Sequence, residues 1–500
     1  MAMQQHPETV GPVLAKHTSP PAALRPYILV VALSAAASAY FSAAGLLLHF
    51  SFRSYGWDLG IFDQVLWNTA HGRLFEYSFR NILYLGDHFS PALLLLSPLA
   101  LLGAGPAPLL VAQGIAFGAA CIPLFAAVRR LAGPGPAWFV TSAYVLGLAQ
   151  GRAVTYDFHP DAFIPLFAFT ALWGLASGRK TALIAASLAI LTVKEDMALL
   201  VLGLCWVAWL AFGAKREAAV IAVVGIVYSA VVVLAVMPEI RGDDTNPLSE
   251  RYGYLGDNAP EMLFNAVTQP HLIFDQLNRW SAFEAVALVL LGAGLLPLAT
   301  PRLWPPLALL LLAPLLAQHP AQSTLSLHYM VVPATFALVV AAVALKTSEP
   351  WSYLTRFSAK QVPRSHVASL AVFACAVAVF AWKSPLPPSF AAEPSRYQVD
   401  SHSRLARSFV DDVPDGVGVS AQATFVPHLS QREDIYEFPR IEDADWVLLD
   451  EKRPVPSYDQ HGFDDCRREL PALGFDIVRQ EDRITLWQRT RQPEEDATCG

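Results

Sequence analysis

Residues 54–75 read SYGWDLGIFDQVLWNTAHGRLF and come directly after an apolar run from Tyr27 to Phe50. That run is 24 residues long, enough to cross a hydrocarbon core of about 30 Å at about 1.5 Å per residue. It is too long for a cleavable signal core and has no clear small-residue cleavage site, so it reads as a retained helix. The stretch beyond it is patterned differently. From Leu59 the spacing is helical, with Leu59, Phe62, Val65 and Leu66 on one face and Asp63, Gln64, Asn68 and His71 on the other. Flanked by Trp57 and Trp67, such a helix is expected in the headgroup layer. Asp58, just ahead of it, is placed to cap its N-terminus. A crossing that surfaces into an amphipathic, carboxylate-bearing helix marks a polytopic membrane protein with a built outer face.

Composition agrees. Hydrophobic residues make up 54% of the chain, charged residues 15%, and the mean hydropathy is +0.39, whereas soluble domains carry about 25% charged residues. This excludes an ordinary soluble enzyme. The net charge of −7 is unevenly spread, because Ser384 to Gly500 holds 23 Asp and Glu against 13 Lys and Arg. A soluble acidic domain is therefore expected over 383–500, and a flexible cytoplasmic tail over 1–26. Cys121, Cys205 and Cys375 fall in apolar runs and read as packing residues. Cys466 and Cys499 can pair if their domain lies outside the cytoplasm.

Short cytoplasmic loops retain Lys and Arg, so the crossings and the basic residues are placed together. Lys16 and Arg25 set the N-terminus inside, and 27–50 crosses outward. The run 106–128 returns to Arg129 and Arg130, 137–149 exits, and 161–177 returns to Arg179 and Lys180. Then 181–193 exits, 197–212 returns to Lys215 and Arg216, 218–237 exits, and 282–300 returns near Arg302. Finally 303–317 exits, 329–345 returns to Lys346, and 367–382 exits. The expected fold class is thus mainly α: a polytopic bundle of about 11 transmembrane helices over 27–382, with a small extracytoplasmic α/β domain behind it. The segment 88–105, interrupted by Pro91 and Pro98, is expected to lie in the outer interface. The first outer loop then covers 51–105 with its interfacial helices, and the protein belongs in the plasma (inner) membrane.

The hairpin 181–212 carries much of this scheme. Its arms of 13 and 16 residues reach roughly 20 to 24 Å, short of the roughly 30 Å core. The turn VKED would then sit below the outer surface. Charges at that depth are costly unless they pair or face a wet cavity, which makes Lys194, Glu195 and Asp196 candidate site residues. The plainer reading is a salt-bridged turn at the interface. Other acidic and histidine clusters gather on the same side: GDHFSP with Asp87 and His88, TYDFHPDAF with Asp157, His159 and Asp161, and QHPAQSTLSLHY with His319 and His328. Singly, each reads as a solvated loop or a helix cap. Together they suggest an outward-opening cavity lined by carboxylates, imidazoles and one lysine.

Five of these stretches, YGWDLGIFDQVLWNTAHGRLF, GDHFSPALLLLSPLALL, DFHPDAF, VKEDMALL and HLSQREDIYEFPRIEDADWVLLD, resemble a prokaryotic membrane protein family catalogued as a domain of unknown function. That family looks like a distant branch of the GT-C superfamily, polytopic glycosyltransferases that use lipid-phosphate-linked sugars. In that superfamily an essential Asp comes after the first span, and interfacial helices and a Pro-containing segment come after it. Asp58 and His88 to Pro91 fall at those places. The sequence departs from the pattern in having no Asp-Glu or Asp-x-Asp pair at 58, and no acceptor-peptide motif in its C-terminal domain.

The resemblance implies transfer of a sugar from a polyprenyl-phosphate donor to an extracytoplasmic lipid, glycan or protein. Asp58 is the candidate base, with Asp63 as a second catalytic carboxylate. Lys194, His159 and His328, with His88, are candidates for the donor phosphate. Glu195, Asp157, Asp161 and Asp196 can orient sugar hydroxyls. Alternatively Asp58, Asp157 and Glu195 can hold Mg²⁺ or Mn²⁺ through oxygen ligands. The partners expected are the bilayer and a polyprenyl-phosphate-linked sugar.

The acidic tail begins with the Pro-rich KSPLPPSF and continues with the short apolar segments VGVSA, DWVLLD, FDIVRQ and ITLWQR. The last two are separated by EDR as in a hairpin. Asp443, Asp445 and Asp450 read as solvated strand edges. The sequence contains no GxGxxG, GxxxxGK[ST], HExxH or paired CxxC, so nucleotide-binding and zinc-site readings have no support, and nucleic acid is not an expected partner. The alternative function is a transporter or lipid flippase. Transporters place ionisable groups near the midplane and show internal repeats, and the sequence displays neither clearly.

Overall fold

The computed structural model describes residues 25–80, 82–242, 251–346, 363–454, 460–493 and 499. The expected tail over 1–26 lies almost wholly outside them. Apolar helices stand at each expected crossing. Among the described residues six are long and apolar enough to cross a membrane: Pro26–Phe50, Ala107–Ala132, Pro160–Ser177, Lys215–Arg241, Pro320–Ala344 and Arg364–Lys383. Lys180–Leu191, Ala198–Phe212, Trp280–Gly292 and Pro301–Leu315 are apolar but shorter, and Pro134–Val145 fills the remaining place.

The first two long helices meet along a stripe of small residues. A Cβ at Gly114 would lie 2.2 Å from Ser42 Oγ, and one at Gly118 would lie 2.1 Å from Ser38 Oγ. Lipid supplies no hydrophobic drive between helices, so close backbone approach at small residues is what holds such a pair.

The basic ends of the bundle share one level. Lys180 pairs with Glu217 at 2.5 Å, Lys346 Nζ donates to Ala211 O at 3.1 Å, and Trp206 Nε1 donates to Arg302 O at 2.8 Å. Helices 180–191, 198–212 and 215–241 thus begin or end together there, and 301–315 begins beside the second of them at Trp206. Their opposite ends differ in height, because 12 and 15 residues rise only about 18 and 22 Å beside the 27 residues of Lys215–Arg241.

The C-terminal domain holds a five-stranded sheet in the order β2-β1-β3-β5-β4. The strands are β1 (Val419–Ala421), β2 (Ile435–Glu437), β3 (Trp446–Asp450), β4 (Phe475–Glu481) and β5 (Ile484–Arg489). β1 runs parallel to β2 and β3, and β5 runs antiparallel to β3 and β4. Four of the strands lie where the apolar segments predict them, and the β4–β5 hairpin turns at the expected place. β2 is an addition. One face packs Val419, Ala421, Leu448 and Leu486 against Phe409, Phe425 and the first outer loop. The other packs Val447, Leu449 and Phe475 against the helix Gln460–Glu469, which the Cys466–Cys499 disulfide ties down.

The helix Ile61–Ala70 does not lie with a polar face in the headgroups. Asp63, Gln64 and Asn68 are as buried as Leu59, Phe62 and Val65, because the C-terminal domain docks on the polar side. Ser430 Oγ donates to Asp63 Oδ2 at 2.7 Å, Gln431 Nε2 donates to Asp63 Oδ1 at 3.2 Å, and Gln64 Nε2 donates to Glu433 O at 2.7 Å. Its polar stripe matches a second protein layer. Asp450 is likewise no solvated edge, since it is 5% exposed and meets His402 Nε2 at 2.7 Å. The Pro-rich KSPLPPSF is packed on the bundle: Ser384 and Leu386 are buried, with Tyr40 donating to Pro387 O.

Candidate active site

The stretch GWDLG, 56–60, forms one π-turn that runs into the helix from Ile61. The N-cap position is Gly60, with no side-chain cap, so Asp58 caps nothing. The flanking glycines answer to close approach by the C-terminal domain. A Cβ at Gly56 would come within 2.6 Å of Glu437 Oε2, and one at Gly60 within 2.8 Å of Val426 Cγ1.

The Asp58 carboxylate meets His159 instead, Oδ1 to Nε2 at 2.9 Å. An ionised carboxylate only accepts, so Nε2 carries the hydrogen. His159 is held in turn from the second long helix: Gln113 Oε1 accepts its backbone N–H at 3.0 Å, while Gln113 Nε2 donates to Asp157 O at 2.8 Å. Burial pushes the Asp58 carboxyl up, but the facing His159, with the Tyr156 hydroxyl and His88, outweighs it and holds the group below the ordinary carboxylate range. Asp58 is therefore an anion at neutral pH. The His159 ring stacks on His328 with centroids 3.5 Å apart. Nδ1 of each ring is buried and finds no hydrogen-bond partner among the described residues.

The VKED turn closes the site from the other side. Ser229 donates to Glu195 O at 3.2 Å, which fixes its height: Ser229 stands about 21 Å along the helix from the basic level at Lys215. The turn thus lies below the top of a roughly 30 Å core. Glu195 accepts the Phe89 N–H at 3.1 Å and meets His88 Nδ1 at 3.2 Å, so it anchors the HFSP segment. Lys194 faces the cavity with Asp161.

Three connected spaces result. An inner pocket of about 80 Å³ is lined by Asp58, His88, His159, Asp161, Lys194 and His328. A vestibule of about 540 Å³ leads outward from Asp58 past Trp57, Arg80, Asp87, Tyr156 and His319. A groove of about 80 Å³ runs from Lys194 and Asp196 between Leu199, Leu310, Pro314 and Val332. Arg251 and Tyr329 line all three.

Residues 48–486 match the family described as predicted membrane protein DUF2079. The chain belongs to this family. Among solved structures, ArnT from Cupriavidus metallidurans bound to undecaprenyl phosphate is similar to the DUF2079 chain with a TM-score of 0.51 and 14% identity, covering 94% of this chain and 99% of that one. The apo state of the same protein gives 0.50 and 13% over the same shares. At such identity the likeness establishes the fold, which is GT-C-like. No curated protein sequence matches significantly.

Within the DUF2079 chain the sequence candidates separate. Asp58, His88, His159, Asp161, Lys194 and His328 come together in the inner pocket, and Asp196 joins them in the groove. Asp157, at φ +94°, accepts the Tyr55 N–H at 2.9 Å, and Glu195 is engaged by His88 and Phe89. Both brace the site from behind its lining. Asp63 faces the C-terminal domain, where burial outweighs its two donors and pushes the carboxyl up to about 7. Among the described residues no three His, Cys, Asp or Glu side chains converge as a metal requires. Asp58, Asp157 and Glu195 are thus not assembled into a Mg²⁺ or Mn²⁺ ligand set. Sequence reasoning passed over Arg251, Tyr329 and Tyr156. Arg251 carried a usable signal, since an arginine in an outer loop runs against the side that basic residues prefer.

Proposed function

We propose that this DUF2079 protein is a membrane glycosyltransferase that moves a sugar from a polyprenyl-phosphate donor to an extracytoplasmic acceptor, with Asp58 as general base. The observation that carries the reading is the junction at Arg251 and Tyr329. There an anionic Asp58 on one side and the cations Lys194 and Arg251 on the other share a space with a groove lined further along by apolar side chains. A lipid phosphate suits that groove, with its head at Lys194 and Arg251 and its tail between Leu199, Leu310 and Val332. The sugar then lies in the inner pocket. In the transfer, the acceptor oxygen bonds to the anomeric carbon and its proton passes to Asp58. The bond from that carbon to the phosphate oxygen breaks, and the lipid phosphate leaves with the electron pair. The cations stabilise that leaving charge where it develops. His159, stacked on His328, holds the carboxylate in place through its Nε2 hydrogen bond. The fold shared with ArnT, crystallised with undecaprenyl phosphate, supports a lipid phosphate as the ligand class.

The acceptor side is taken as extracytoplasmic because the basic helix ends gather at the opposite end of the bundle. The Cys466–Cys499 disulfide suits the same side. Lipid and envelope-glycan profiles of cells lacking the protein, complemented with wild type or Asp58→Asn, test the reading. The wild type should restore a glycan that the variant does not, with equal membrane insertion of both. Identical profiles from the two would refute it. The depth of Lys194 favours a second reading, a lipid flippase, under which the Asp58 variant should restore the profile fully.

A further inference from the structure

A second, larger cavity lies outside the Asp58 site. It is a cleft of about 1030 Å³ where the stretch from Asn68 to Leu83, the segment from Glu433 to Asp443 and the helix end at Ile240 and Arg241 meet. That is at the upper end of the roughly 300–1,000 Å³ typical of ligand sites. Its polar walls are fixed before any ligand arrives. Arg73 is paired with Glu433 and donates to Asn68 Oδ1 at 2.8 Å. Arg440 meets Glu442 at 2.8 Å and Ser78 O at 3.0 Å. The Tyr436 hydroxyl donates to Asp443 at 2.5 Å.

The charge balance narrows the ligand. Four arginines, Arg73, Arg80, Arg241 and Arg440, line the cleft beside the carboxylates Glu76, Glu433, Asp434, Glu442 and Asp443, which leaves it close to charge balance, and each guanidinium is already engaged by a protein acceptor, so a polyanion finds no surplus of positive charge there. Among the described residues the aliphatic lining is Ile82, Leu83 and Ile240, too little for acyl chains. What remains suited to rigid, alternating donors and acceptors is a neutral ligand dense in hydroxyl groups. The cleft also touches the vestibule, since Arg80 lines both. Arg80 pairs with Asp87 at 3.0 Å, and Tyr77, on the cleft side, donates to the same carboxylate at 3.2 Å. This pair forms the partition between the cleft and Asp58.

We propose that the cleft is the acceptor site and that its ligand is a neutral carbohydrate chain, whose terminal sugar reaches Asp58 past the Arg80–Asp87 partition. The proposal rests on the transferase reading. It is tested on the full chain in lipid nanodiscs with fluorescent neutral oligosaccharides, covering glucans, mannans and N-acetylhexosamine oligomers, and a fluorescent oligophosphate for comparison. At least one neutral oligosaccharide should bind in preference to the oligophosphate. The double variant Glu76→Gln, Asp443→Asn, both exposed positions, should weaken that binding about tenfold or more, the scale of losing hydrogen bonds at a charged group. Absence of binding by every neutral oligosaccharide, preference for the oligophosphate, or unchanged affinity in the double variant overturns the proposal. Because this readout needs no donor, the two failures separate. Retained saccharide binding without release of donor lipid would sink the transferase reading, and release without saccharide binding would sink the cleft.

Discussion

At the scale of single residues, Asp58 and Asp63 lie five positions apart and have opposite electrostatic fates. Asp58 faces a histidine and ionises easily, whereas Asp63 is sealed under the C-terminal domain with its carboxyl pushed up to about 7. Glu437, half-buried against Gly56 and facing the Asp58 charge, is pushed up to about 8 by desolvation and that charge. A carboxyl whose folded value is raised stabilises the fold as the neutral acid. That contribution is fully present below the unfolded value of about 4 and is lost as pH rises through the folded one. The docked domain should therefore loosen progressively between about pH 4 and about pH 8. The excess of wild-type over Asp63→Asn thermal midpoint should shrink over that window. A gap that widens with pH would contradict the assignment. The sequence displayed both carboxylates but could not rank them, because helical periodicity assigns a face without saying what covers it.

At the scale of elements, glycine carries contacts that side-chain patterns do not announce. Gly118 lies against the first helix so closely that a Cβ would come 2.6 Å from both Ser34 O and Ser38 N, backbone atoms that cannot swing aside. Gly118→Val should cost about 1–3 kcal/mol or more and lower the thermal midpoint in detergent. Gly292→Ala, where an added Cβ meets nothing within 4 Å, should leave the midpoint in place. Equal midpoints for Gly118→Val and wild type would show that this packing is not tight. The crossings were legible because apolar runs and basic residues constrain each other; the same constraint picked out the VKED hairpin, and the length of its arms gave the depth of its turn. The docking of Ile61–Ala70 under the sheet was not legible, since a polar stripe reads the same against water, headgroups or another domain. β2 escaped for a different reason: Ile435–Glu437 follows Glu433 and Asp434 and ends on a glutamate, so no apolar run marks it as VGVSA marks β1.

At the scale of the whole molecule, the fold places every charged cluster of the cavity, and the C-terminal domain, at the end opposite the basic helix termini. Modification of intact cells with a membrane-impermeant amine reagent should reach Lys452, 47% exposed in its side chain. Lys180, 71% exposed, should stay protected until the membrane is opened, and the reverse pattern would invert the topology. Both ends of that argument were visible in the sequence. Arg251 showed only as a basic residue on the unfavoured side and Tyr329 showed as nothing unusual; that they join the three spaces of the site was not legible, because the convergence of their segments is a property of the folded bundle. The central claim is that Asp58 removes the acceptor proton as a lipid-phosphate sugar is cleaved. The most direct measurement is the release of polyprenyl phosphate from a panel of polyprenyl-phosphate sugars by purified protein in nanodiscs, with an envelope-glycan extract as acceptor. The account predicts release by wild type and a rate about 10²- to 10⁴-fold lower for correctly folded Asp58→Asn. Equal rates from the two proteins would contradict it.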